Sequence, residues 1–175
     1  MASLACSTVV HAPPARTYDF LAACEGYAAY SGYLESVERR GDGSPGTVFA
    51  ITASWWRLTR TVRAEVTATD PPNRLDWRLR GSIEARGAWT VDRLDDESDP
   101  ASRVTLHVEY APGSLDGLDL PLGVSLDRLV DRLVPVAERE ARAVVERAVA
   151  DLEGEPRPIE LEIHTPDPAL TDPRG

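Results

Sequence analysis

Gly41 and Gly46 frame the stretch GDGSPGT with the G-x-x-x-x-G spacing of a loop that cradles phosphate. That chemistry also needs a Lys after the second Gly, then Ser or Thr for magnesium, and a helix whose N-terminus faces the anion. Here Thr47 and Val48 follow Gly46, and the whole chain contains no lysine. The next residues, TVFAITASW, are β-branched and aromatic and read as a strand, while the preceding YLESVERR alternates as a strand does. Asp, Gly, Ser and Pro between two such runs predict a hairpin turn and no nucleotide site.

The other chemistry-bearing residues are sparse. His11, His107 and His164 are far apart, and no HExxH or CxxC spacing occurs, so no metal site is expected. There is no G-x-S-x-G elbow and no Cys-His signature. His107 and Glu109 come nearest to an acid–base pair, but their alternation puts both on a solvated face. No catalytic residue can be named, and no cofactor is expected.

Composition narrows the partners. The 175 residues suffice for one domain with a real core and room for a cavity. A formal charge of −10, with every basic side chain an Arg, repels nucleic acid and anionic membranes. The same acidic, lysine-free surface suits a protein that stays soluble in high salt, although a GC-rich genome also exchanges Lys for Arg. Cys6 and Cys24 form neither a disulfide framework nor a metal spacing and read as small thiols in a reducing compartment. MASLACSTVV lacks a basic n-region, and no apolar run reaches membrane-spanning length, so a cytoplasmic protein is expected, without stable membrane insertion.

The elements that must position any site follow in a clear order. A strand around Cys6–His11 leads into PPARTYDFLAAC, with prolines at a helix start and Tyr18, Leu21 and Ala22 at helical spacing. Tyr27, Tyr30 and Tyr33 lie on a short helix or turn. Strands are then predicted over 34–40, 47–55, 58–69, 74–80, 83–94 and 103–110, separated by turns such as DPPN at 70–73. From Pro121 to Leu152 one broad apolar stripe marks a long helix, which Pro135 should kink or split and Gly154 should end. Residues 1–153 thus form one domain. Residues 154–175, rich in proline and acid, read as a flexible tail, in which IELEIH alternates well enough to join a sheet edge. Half-apolar strands and one covering helix make the fold α+β, with an antiparallel sheet that is wet on one face.

In this order the chain resembles the START-like (SRPBCC, helix-grip) superfamily, which includes polyketide cyclases, lipid-transfer domains, coenzyme Q-binding proteins and plant pollen-allergen proteins. The resemblance is carried by VVHAPPARTYDFLA (9–22), GDGSPGT (41–47), ATDPPNRLDWRL (68–79), GAWTVDRL (87–94) and SRVTLHVEY (102–110), and spans residues 7–152. It implies a curved seven-stranded antiparallel sheet around a long C-terminal helix, with two short helices between the first two strands. It also implies a deep apolar pocket between sheet and helix, as the bottom-up geometry does.

Side chains on the inward pattern are the candidates to line that pocket. They are Phe49, Ile51, Trp55, Trp77, Trp89 and Tyr110, with Tyr27, Tyr30 and Tyr33 at the mouth and Leu126 and Val130 from the helix. Arg60 falls on the apolar series Leu58, Arg60, Val62, Ala64 and Val66. If inward it needs a carboxylate or ligand oxygen; otherwise it reaches water near the strand end. The leading expectation is a carrier or sensor of a hydrophobic small molecule: lipid, quinone, isoprenoid or polyketide-like. A cyclase or dehydratase using the same cavity, and a ribosome- or chaperone-associated factor, are the alternatives. Oligomeric state is not legible.

Overall fold

The structure, a computed structural model, describes residues 2–55, 58–94, 99–115 and 126–164; the side chains of Trp55, Leu115 and residues 126–137 lie outside what it describes. The chain forms β1 (Ala2–Val10), α1 (Pro14–Ala22), a 3₁₀ turn at Cys24–Ala29, and six further strands. These are β2 (Leu34–Arg40), β3 (Val48–Trp55), β4 (Leu58–Asp70), β5 (Arg74–Arg80), β6 (Ala85–Leu94) and β7 (Ala101–Tyr110). A 3₁₀ turn at Pro112–Leu115, the long α2 (Leu126–Glu153) and a short β8 (Glu162–His164) complete it.

The strands form one antiparallel sheet in the order β2-β3-β4-β5-β6-β7-β1-β8. Seven of them follow the expected succession, and the eighth is three residues of IELEIH added to the free edge of β1. Two bulges bend the sheet: Glu35 is the extra residue between β2 and β3, and Thr67 between β4 and β5. One helix-covered face and one wet face result, the α+β helix-grip arrangement.

The wet face carries the charges that the alternation assigned to it. Arg78 and Arg80 meet Glu65 at 3.0 and 3.3 Å, Arg86 meets Glu109 at 2.7 Å, and Arg74 meets Asp76 at 2.7 Å. These pairs are exposed on their Arg side and each contributes about 0.2–1 kcal/mol at most. His107 is exposed here too.

GDGSPGT is a turn. Gly41, Gly43 and Gly46 all have positive φ, and a Cβ on Gly41 would lie 2.5 Å from Thr47 Oγ1. Thr47 is buried and its hydroxyl accepts from the Gly43 N–H at 2.9 Å, so the loop's polar groups close on the loop itself.

The covered face holds two packed clusters. Tyr18 of α1 packs with Phe49, Val66 and Leu75, joined by Ala22, Cys24, Val37, Ile51 and Trp77. The second joins Val10, Ala12, Val104, Val149, Leu152 and Ile159. Trp89 touches both.

Of the kink or split that Pro135 predicts, the split is absent: α2 runs through it from Leu126 to Glu153. Proline removes one intrahelical hydrogen bond, and packing of the C-terminal half on the sheet outweighs that local cost. Residues 154–164 also pack on the domain, because Ile159 supplies an apolar side chain that the core buries to 6 % exposure. Residues 165–175 lie outside the described residues.

Cys24 belongs to the first cluster. Burial, the largest influence, pushes its thiol up to about 11. In a Cys6→Ser background its reaction with a thiol reagent at pH 8 should therefore run roughly two orders of magnitude slower than that of a free thiol. Labelling at the free-thiol rate would show that the 3₁₀ turn carrying Cys24 leaves the sheet readily.

Candidate functional site

A hollow of about 240 Å³ lies between β1, β6 and β7 on one side and the C-terminal half of α2 on the other. It exists because α1 fills only part of the concave face. Tyr18 and Ala22 press onto Phe49, Val66 and Leu75, leaving Thr8, Val10, Trp89 and Val104 to be roofed by α2. Register brings those four together: Thr8 pairs with Val104, Val10 with Ser102, and Trp89 with Leu106. The roof is Val144, Val145, Ala148, Val149 and Leu152, spaced as one face of a helix.

Phe20, Leu21, Tyr27, Tyr30 and Leu34 line a further side, and the hollow stays partly open. Their aromatic rings form one corner, with Phe20–Tyr30 and Tyr27–Tyr30 centroids 6.0 and 6.5 Å apart. Polar contacts tie this corner to α2. The Tyr30 hydroxyl donates to Asp151, Ser31 Oγ donates to Glu140 Oε1 at 2.8 Å, and Arg147 Nη1 donates to the Tyr30 carbonyl at 2.5 Å.

The wall itself presents carbon almost throughout. Thr8 Oγ1 donates to the Glu160 carbonyl at 2.8 Å, and Thr17 Oγ1 to the Pro13 carbonyl at 3.0 Å. Tyr27 Oη donates to the Leu21 carbonyl at 2.5 Å. Burial holds the Tyr27 phenol well above its usual range; burial and then the hydrogen bond to Asp151 push that of Tyr30 up to about 12. Both stay protonated at neutral pH, so neither is a general base.

Tyr27, Tyr30 and Trp89 are thus the sequence candidates that stand around the hollow. Phe49 is buried and Ile51 and Trp77 half-buried in the α1 cluster, where they fill core. Tyr33 is 37 % exposed, and Tyr110 does not border the hollow. Arg60 pairs across from Ala53 on the inward register, yet it is exposed and its Nη1 donates to the Thr59 carbonyl at 3.3 Å. The side chains of Trp55, Leu126 and Val130 lie outside the described residues.

Sequence reasoning missed Phe20 and Leu21, which the helical spacing of α1 exposed only as core formers, and Thr8 and Thr17, whose polar type argued against an apolar wall. Of the α2 residues all but Val149 are in the apolar stripe, but a stripe does not say which of its turns overhang a gap.

Solved structures share the architecture. TTHA0849 from Thermus thermophilus superposes with a TM-score of 0.63 at 19 % identity, covering 87 % of this chain and 97 % of that one. The Zhui aromatase/cyclase from Streptomyces sp. R1128 gives 0.62 at 19 %, covering 86 % and 93 %. Ara h 8.0201 gives 0.58 at 18 %, covering 85 % and 97 %. No curated protein matches the chain in sequence. A family profile described as polyketide cyclase / dehydrase and lipid transport matches residues 1–153, from the first strand through the roof of the hollow, and the chain belongs to that family.

Proposed function

We propose that the chain binds a hydrophobic small molecule between the sheet and α2 and serves as its carrier or sensor, without transforming it. One observation carries this reading: the hollow is lined by apolar side chains whose few hydroxyls are already engaged elsewhere. A concave apolar site of this kind gains affinity from surface removed from water. The family description includes lipid transport, which supports the same reading. Among the described residues no helix is long and apolar enough to cross a membrane.

The family description also names cyclases and dehydrases, and that favours a second reading in which the cavity folds a reactive chain into a near-attack shape. The described wall offers that reaction no free acid or base, so the carrier is preferred.

Filling the hollow tests the choice. Ala148 lies half-buried in the roof, and Ala148→Phe places a ring where a ligand would sit. Native mass spectrometry of the wild-type protein purified from its own cells should show a bound small molecule, and Ala148→Phe should lose it by about tenfold or more. A folded variant, judged by circular dichroism, that keeps the full load would remove the hollow as the site. Turnover of a poly-β-ketone thioester by the wild type would favour the enzyme.

A further inference from the structure

Resting on the binding reading above, we propose that the part of the ligand held in the hollow is an uncharged hydrocarbon group of about ten carbons. Any oxygen or nitrogen of the ligand stays outside the wall. Size is the first argument. An engineered apolar cavity of about 150 Å³ holds the six carbons of benzene, so scaling by volume gives about ten carbons here. The hollow itself measures about 240 Å³.

The second argument is hydrogen-bond supply. Among the described residues, Thr8, Thr17, Tyr27 and Tyr30 are the side chains with hydroxyls around the hollow, and each donates its proton to a partner away from it: three backbone carbonyls and Asp151. The polar contacts of Ser31, Glu140 and Arg147 join the Tyr30 corner to α2 and leave the wall itself carbon. A ketone or hydroxyl entering this space loses its water and gains no partner, which selects against it. A poly-β-ketone, with a carbonyl on every second carbon, is the ligand such a wall disfavours most. A plain alkyl, terpenoid or unsubstituted aromatic group is the one it favours.

Ten-carbon ring compounds of matched shape separate these claims. Calorimetric titration of the purified protein should give the tightest binding for naphthalene, with 2-naphthol and 1,4-naphthoquinone weaker by about tenfold or more. Pyrene, followed by its own fluorescence, should bind at least about tenfold more weakly than naphthalene because the hollow cannot hold its sixteen carbons. Equal or tighter binding of the naphthol or the quinone would overturn the hydrocarbon assignment while leaving the carrier reading in place. Pyrene matching naphthalene would overturn the size. If none of the four binds, the ten-carbon hydrocarbon assignment falls, while the carrier reading is decided separately by the native mass spectrometry above.

Discussion

Replacing Gly87 with alanine is expected to destabilise the protein by about 3 kcal/mol. Gly87 sits in β6 between Trp77 of β5 and Val108 of β7. A Cβ there would lie 2.2 Å from the His107 carbonyl oxygen and 2.6 Å from the Trp77 ring. The ring could swing aside, but the carbonyl belongs to the ladder that holds β6 on β7 and cannot move without loosening it. For a chain of this length the loss corresponds to a drop of roughly 6–12 °C in Tm. Urea melts of Gly87→Ala and of Gly87→Ala with Trp77→Leu separate the two contacts. The double variant should recover only the part due to the ring. A Gly87→Ala midpoint equal to wild type would mean that the β6–β7 spacing is wider than the structure shows. The consequence for function is direct, because Trp89, two residues on, presents its indole to the hollow from the same strand.

That coupling shows what could be read from residue order and what could not. Period-two alternation placed Trp77 and Trp89 on one face, and the sheet keeps them there. It could not say that Gly87 leaves room for the Trp77 ring, which needs the cross-strand register. Nor could it separate the two indoles: Trp77 fills core under α1, while Trp89 borders open space. The difference is set by where α1 crosses the sheet, a tertiary fact with no local pattern. Exposure at Tyr33 and Arg60 is likewise a tertiary fact: alternation leaves Arg60 either inward or at water, and it is exposed. Tyr33 lies just before β2 and Arg60 on the inward register of β4, and both are exposed. Long elements, by contrast, were legible. The stripe of α2 and the strands β2 to β7 follow from periodicity alone, since burial of one face is what makes each element stable. IELEIH stood between these cases. Its alternation permitted an edge strand, and its docking rests on a clamp that joins residues far apart in sequence.

Breaking that clamp is the second large effect. Arg157 donates to Glu153 from Nε at 2.7 Å and from Nη2 at 2.9 Å, and Nη2 also reaches the Val9 carbonyl at 2.8 Å. Glu153, its side chain only 7 % exposed, accepts in addition from the His11 N–H at 2.9 Å. The pair thus fastens the end of α2 to β1 and starts the segment whose Ile159 enters the core. Arg157→Ala should cost about 3 kcal/mol at pH 7, because a nearly buried carboxylate would lose its cation. Arg157→Ala with Glu153→Gln should recover part of this, since no unpaired charge then remains. The pH dependence adds an independent check. Burial alone would raise the Glu153 carboxyl, but the hydrogen bonds from Arg157 and from the His11 N–H, with the Arg157 and His11 charges, outweigh it and hold it below its ordinary 4.5. A carboxyl lowered by folding stabilises the protein fully above its unfolded value, and that contribution fades as pH falls through the folded one. In Arg157→Ala the main lowering influences are gone and burial acts in the raising direction. The gap between wild type and variant should therefore be widest at neutral pH and shrink as pH falls, first as the raised Glu153 carboxyl of the variant takes up a proton and then as the lowered one of the wild type does. Urea melts of both proteins at pH 7 and pH 4 measure it. A gap that stays constant, or widens in acid, would mean that Arg157 stabilises the fold by packing alone, and the carboxylate of Glu153 would have no part in holding the tail to the sheet.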